Sequence, residues 1–323
     1  MAKKYKLTHE RPHYKPFSYP WAYDFWLAHE QSHWLHTEVA MQDDVKDWSK
    51  KLNDAERYFL TNIFRFFTQG DLDVAGGYVK NYLPYFPQPE IRMMLCGFAA
   101  REAIHVAAYS HLIETLGMPE QIYSEFSEYK EMKEKHEYFE EFHNMDKTNI
   151  AQQIAAFSAF TEGLQLFSSF VMLLNFPRHG KMKGMGQIVS WSLIDESAHT
   201  EGMIKLFRTH IEENRHIWKD ELKSELYCIA EKMVELEDKF IDLSFSIGEM
   251  ENLTAEDVKL YIRYICDRRL ISMGLKGIYK IKKNPLTWVD EMINAPIHGN
   301  FFETTITDYA KGALQGNWGD VWS

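Results

Sequence analysis

Cysteine is scarce: three residues in 323, Cys96, Cys228 and Cys266, are far apart and odd in number. That excludes a disulfide-stapled scaffold and fits reduced thiols in a cytosol. Glycine (17) and proline (10) are also few, together below the ~12% of average usage. No Ser/Gly/Pro-rich linker divides the chain, although its length alone would suggest about two domains. Basic residues are outnumbered, 36 against 47 acidic, for a net charge of −11. Such a balance speaks against a nucleic-acid partner, which requires a basic face for phosphate. The N-terminal MAKKYKLTHERPHYK is basic, but no apolar segment follows it, so no signal peptide is read. Strand-like alternation is scarce as well, which excludes a β fold.

What is abundant is apolar surface: 45% hydrophobic and 15% aromatic residues, enough for one large core and too much for disorder. Apolar residues recur at helical spacing along most of the chain. The pattern predicts helices over about 21–39, 53–84, 89–117, 120–143, 148–176, 183–213, 217–248 and 254–280. Asn53 or Asp54 is the expected cap of the second, and Pro89 opens the third. Long helices on short connections mean a helical bundle. The expected organisation is an N-terminal arm (1–20), a single bundle domain (21–283) and a C-terminal region with a flexible tail (284–323). Trp318 and Trp322 in that tail are candidate anchors for a partner.

Between Lys147 and Arg178 the chain carries a single charge, Glu162. The run is long enough to cross a bilayer, which takes ~20 apolar residues. Gln152, Gln153, Glu162 and Gln165 interrupt it and no second such run exists, so it is read as a central helix and no membrane is expected. A carboxylate in that setting needs a counter-charge or a metal.

Glu-x-x-His places two ligands on one helix face, because residues i and i+3 are neighbours there. The spacing occurs six times: Glu10/His13, Glu30/His33, Glu102/His105, Glu140/His143, Glu196/His199 and Glu213/His216. Only Glu102/His105 and Glu196/His199 lie within long apolar helices; Glu30/His33 is ambiguous, and the others sit in polar or Pro-containing segments. Each embedded pair is preceded by an isolated acid on the previous helix, Asp71 at 31 residues and Glu162 at 34. In antiparallel neighbours that separation returns the chain to the same height in the bundle. Asp73, about 200° around the helix from Asp71, competes with it by position alone. The result is a doubled half-site of carboxylate followed by Glu-x-x-His. Four carboxylates and two imidazoles suit two ions of the iron or manganese kind, and buried like charges require cations between them. From Glu102, the helical rotation is about 300° to His105 and about 340° to Tyr109, so the Tyr109 phenol shares the ligand face. It is either a core tyrosine or a one-electron donor to such a centre.

On FFTQGD (ending at Asp71), REAIHVAAY (Arg101–Tyr109), TEGLQLFSSF (around Glu162) and IDESAH (Ile194–His199), the chain resembles the radical-generating small (beta) subunit of class I ribonucleotide reductase. The resemblance runs over roughly residues 15–310. It implies a ferritin-like all-α bundle, with metal ligation by Asp71, Glu102, His105, Glu162, Glu196 and His199, and selects Asp71 over Asp73. It implies a radical at Tyr109, formed when the reduced metals meet oxygen, and its transfer through Trp34, Glu38, His105, Asp195 and Tyr309 to a large subunit. Iron is the first expectation for the two ions per chain, with manganese or a mixed pair fitting the same ligands. Docking of the large (alpha) subunit through the C-terminal tail, a homodimer and a cytoplasmic location complete what the resemblance implies. Leu166 stands where many members have Phe, and Phe98 where many have Trp; neither removes a ligand. The alternatives are a stand-alone di-iron oxidase or oxygenase and a ferritin-like metal store. The first would need an open substrate channel; the second does not account for the length or the aromatic tail.

Overall fold

The computed structural model describes residues 5–146 and 149–294, apart from the side chains of 69, 71–73, 143, 293 and 294. Among the described residues no strand forms, and one isolated bridge pairs Met250 with Leu253. The main helices are α1 (Pro20–Gln31), α2 (Gln42–Lys46), α3 (Asp54–Gly77), α4 (Pro89–Thr115), α5 (Lys130–His143), α6 (Ile150–Arg178), α7 (Lys183–Glu213), α8 (Asp220–Ser244), α9 (Ala255–Met273) and α10 (Thr287–Asn294). The chain divides into two compact units, Met1–Thr287 and Trp288–Ser323, and the bundle is the first.

Local chemistry sets the helix ends. Asn53 caps α3: its side chain accepts from Glu56 N at 2.9 Å, and Glu56 Oε2 accepts from Asn53 N at 2.9 Å. Thr254 and Asp257 form the same reciprocal pair at the start of α9, which ends at Gly274 in the left-handed region (φ +94°). The start of α7 is capped from outside by α2 and the turn after it. Asp44 accepts from the amides of Gly184 and Met185 at 2.8 Å each, and Asp47 from Met182 N at 2.9 Å.

Four segments depart from the periodicity, one of them the last expected helix, which stops at Met273 with Gly274 rather than at 280. The first helix ends at Gln31, eight residues before the expected 39, so Trp34 lies on the connection beyond it. Residues 120–129 form two short 3₁₀ turns ahead of α5 rather than part of one helix. Residues expected to be aperiodic beyond 284 include α10.

α6 is the axis of the bundle and packs on α3, α7, α8 and α9. Its most apolar stretch is wholly buried, which identifies the long apolar run as a core helix. From Ala155 to Gln165 it winds as a π-helix, a form that clusters at functional sites. Arg269 from α9 reaches into this wide turn and donates from Nε to the Gly163 carbonyl at 2.7 Å. A Cβ at Gly163 would stand 2.8 Å from both Arg269 Nε and Thr200 Cγ2, so the close approach of α6, α7 and α9 requires glycine there.

Candidate metal centre

α4, α6 and α7 bring Glu102, Glu162, Glu196 and His199 together, with one ligand atom from each within 4.8 Å of the others, all buried. His105 joins them: its Nδ1 lies 3.2 Å from Glu102 Oε2 and 3.2 Å from Glu196 Oε1. His199 Nδ1 lies 3.0 Å from Glu102 Oε1, 3.6 Å from Glu162 Oε1 and 3.4 Å from Glu196 Oε2. Both imidazoles therefore turn Nδ1 towards the carboxylates. Asp71 lies on α3, but its side chain is outside the described residues.

The electrostatics are those of a site built around cations. Glu102, Glu162 and Glu196 are almost fully excluded from water. Burial pushes Glu162 up to about 7, with Glu196 adding to the shift and His199 opposing it. Burial also acts against Glu102, but His105 and His199 outweigh it and hold that carboxyl below its ordinary range. Both histidines are pulled down by burial, yet the facing carboxylates raise them well above an ordinary imidazole. Metal-free, the cluster balances its charge by retaining protons. Glu102 Oε1, Glu162 Oε2, both Glu196 oxygens and His199 Nδ1 have no aligned hydrogen-bond partner among the described residues, despite being so close. Converging lone pairs without hydrogen-bond alignment, on oxygen and nitrogen donors, fit a pair of first-row transition-metal ions.

The wall of the site is aromatic. Tyr78 donates to Glu162 Oε1 at 2.7 Å, and burial with that carboxylate raises its phenol well above 10. Phe98 packs on the His199 ring, with centroids 4.5 Å apart. A Cβ at Gly202 would stand 3.0 Å from the Phe98 ring, so the glycine makes room for it. Tyr109 is buried and stacks on Phe67, with centroids 4.2 Å apart and planes 10° apart.

The family described as "Ribonucleotide reductase, small chain" matches residues 11–285. The chain belongs to that family. The protein named "Probable ribonucleoside-diphosphate reductase small subunit 048L" from Invertebrate iridescent virus 3 is 53% identical, covering 97% of this chain and 88% of its own. The ribonucleoside-diphosphate reductase subunit beta of Chlamydia pneumoniae is 30% identical over 91% of this chain and 88% of its own. In structure, the ribonucleotide reductase R2 subunit from Clostridium botulinum superposes with a TM-score of 0.80 at 26% identity, covering 85% of this chain and 88% of that one. The ferritin-like helical bundle read from the sequence is the fold observed, and this small chain is a ribonucleoside-diphosphate reductase subunit.

Within the small chain, the residues expected to carry a radical fall into separate groups. Trp34 Nε1 donates to Asp195 Oδ2 at 2.7 Å, and the same oxygen lies 3.3 Å from His105 Nε2. The Trp34 ring stacks on His105 at 6.0 Å. Glu38 is apart from this chain: it is exposed, and its Oε1 accepts from Leu35 N at 3.0 Å, closing a local turn. Tyr309 lies outside the described residues. Of the ambiguous pair, Glu30 and His33 are both exposed.

Three contributors carried no signal in the spacing. Arg101 donates to the carbonyls of Ser32 (3.1 Å) and His29 (2.8 Å) and lies 3.3 Å from Asp195 Oδ1. It thus ties the end of α1, and with it Trp34, to the centre. Its lone positive charge within MMLCGFAAREAIHVAAY was the available hint. His29 is buried with Nε2 3.0 Å from His199 Nε2. Burial and the neighbouring His199 cation push it down to about 3, so it is neutral. Tyr78 is the third; it opens the π-helical turn (Tyr78–Tyr82) that follows α3.

Proposed function

We propose that this small subunit binds two metal ions with Asp71, Glu102, His105, Glu162, Glu196 and His199 and uses them to form and store a radical on Tyr109. The observation that carries this reading is the buried convergence of Glu102, Glu162, Glu196 and His199 within 4.8 Å. When bound, the ions supply electrons to dioxygen and the oxidising power to take one electron from a phenol. The chain's residues do the rest. Tyr109 gives up that electron from a position sealed against water by burial and by the Phe67 ring, which protects a reactive species from quenching. Asp195 accepts from Trp34 and faces His105, and burial notwithstanding, His105 and Arg101 hold it ionised, below its ordinary range. It is therefore placed to hold the indole proton while an electron passes between Trp34 and the centre.

From Trp34 the radical equivalent passes, with Glu38 and Tyr309, to the large (alpha) subunit, where a ribonucleotide is reduced to a deoxyribonucleotide. The C-terminal tail docks that subunit, and the small chain works as a homodimer in the cytoplasm. Iron is the first choice of metal; manganese or a mixed pair meets the same oxygen and nitrogen donors. The test is reconstitution: ribonucleotide turnover is expected only when large subunit is added, and Tyr109→Phe should abolish it while both metals still bind. Turnover of an organic substrate by the small chain alone would overturn the reading in favour of a stand-alone oxidase.

A further inference from the structure

The two histidines of the centre are supported differently from behind. Each turns Nδ1 to the carboxylates and Nε2 outwards. A metal-bound imidazole that coordinates through one nitrogen keeps its proton on the other, and that N–H needs an acceptor to fix the ring. For His105 the acceptor is Asp195, at 3.3 Å. For His199 the only ring-nitrogen contact outside the carboxylate cluster among those described is His29 Nε2, at 3.0 Å. His29 is itself held in place. Its ring packs on Phe98 at 5.2 Å, its carbonyl accepts from Arg101, and its Nε2 lies 3.9 Å from Asp195 Oδ1.

We infer that His29 is the positioning residue of His199: its Nε2 accepts the Nε2–H of His199 and thereby keeps His199 Nδ1 bare and aimed at the metal. The inference rests on the metal-centre reading above. It makes the centre unsymmetrical in a defined way. His105 is backed by a carboxylate that strengthens it as a donor, whereas His199 is backed by a second imidazole ring that orients it. His29 and Asp195 also lie side by side, so the supports of the two histidines adjoin and Arg101 touches both. An acceptor at position 29 is what matters, so a glutamine amide oxygen should serve in its place, while an apolar side chain of similar bulk should not.

The experiment is a Mn(II) titration of the metal-free full chain, with free ion read by electron paramagnetic resonance, on wild type, His29→Leu, His29→Met and His29→Gln. Far-UV circular dichroism and Tm of each metal-free form set the folding baseline. Wild type should bind two ions per chain. In the Leu and Met variants one of the two should bind roughly 10- to 100-fold more weakly, the range for losing the outer hydrogen bond of a metal-ligating histidine. The Gln variant should stay near wild type. Undiminished binding of both ions by folded Leu or Met variants would overturn the inference, as would a Gln variant as weak as these, since position 29 would then act through packing. Failure of wild type to take up Mn(II) would instead remove the metal-centre reading itself.

Discussion

Lys135 on α5 and Glu237 on α8 form an ion pair away from the metal centre, at 2.7 Å with side chains 2% and 0% exposed. The ammonium sits over the rings of Phe66 (3.8 Å) and Phe240 (4.4 Å), and the Ser168 hydroxyl donates to the other Glu237 oxygen. Burial lowers Lys135 and raises Glu237 from their ordinary values, each opposed by the other's charge. Lys135→Met keeps the aliphatic bulk and removes the cation, leaving the carboxylate with Ser168 as its one hydrogen-bond partner among the described residues. Breaking a buried pair from one side costs about 3–5 kcal/mol. At ~2.1 cal/mol/K of unfolding entropy per residue, that is a drop of roughly 4–8 °C in Tm for a chain of this length.

The loss depends on pH. In the variant, burial raises Glu237 without the lysine to oppose it, so the folded chain holds a proton that the unfolded chain releases above about pH 4.3. Stability relative to wild type is then best below that pH and falls as pH rises, by up to ~1.4 kcal/mol per unit while the folded state keeps the proton. Lys135→Met/Glu237→Gln removes the orphaned charge and should recover most of the loss. Calorimetry or urea melts of wild type, single and double variants between pH 5 and 8 measure all three effects. A single variant within about 1 kcal/mol of wild type and parallel to it in pH would refute the reasoning, and so would a double variant no better than the single.

Gly163→Ala should destabilise the chain by about 1–3 kcal/mol, the cost of overpacking, because its Cβ meets Arg269, Thr200 and the Ser158 carbonyl at 2.8–3.0 Å; urea melts at the wild-type value would contradict that. Metal affinity should rise with pH through the neutral range, because His105, His199 and Glu162, all raised, must give up protons to bind. Calorimetry in two buffers of different ionisation heat should record proton release, and its absence would count against the cluster as ligands. By the same shifts, the metal-free chain should lose stability as pH rises, from about 4.3 to about 7 through Glu162 and above about 6.5 through the two histidines, where the unfolded groups have already released their protons, and melts of the metal-loaded chain should lack that loss. Trp34→Phe should keep the tyrosyl radical signal and lose turnover with the large subunit; full turnover would remove Trp34 from the path.

The helices were legible because a 3.6-residue repeat of apolar side chains is written in the chain itself, and Asn53 and Thr254 start α3 and α9 with their own side chains. The grouping of Glu102 with Glu162, Glu196 and His199 was legible for a related reason: similar separations, 31 and 34 residues, from acids on antiparallel neighbours bring the chain back to a similar height. The π-helical turn around Glu162 was not, since a lone Gly163 does not distinguish it from an ordinary helix and it is held by Arg269, more than a hundred residues away. His29 and Arg101 were hidden likewise, their roles consisting of contacts with His199 and Asp195 that no local pattern encodes. The overrun of the first helix has a physical source too. Trp34 continues the aromatic rhythm of α1, but its indole is drawn off the helix to Asp195.

The central claim is a two-metal centre that oxidises Tyr109. Its most direct test is anaerobic loading with Fe(II), exposure to oxygen, then metal counting and electron paramagnetic resonance on wild type and Tyr109→Phe. The account predicts two ions per chain in both proteins and an organic radical in wild type alone. A chain that binds no metal, or a radical signal unchanged in Tyr109→Phe, would contradict it.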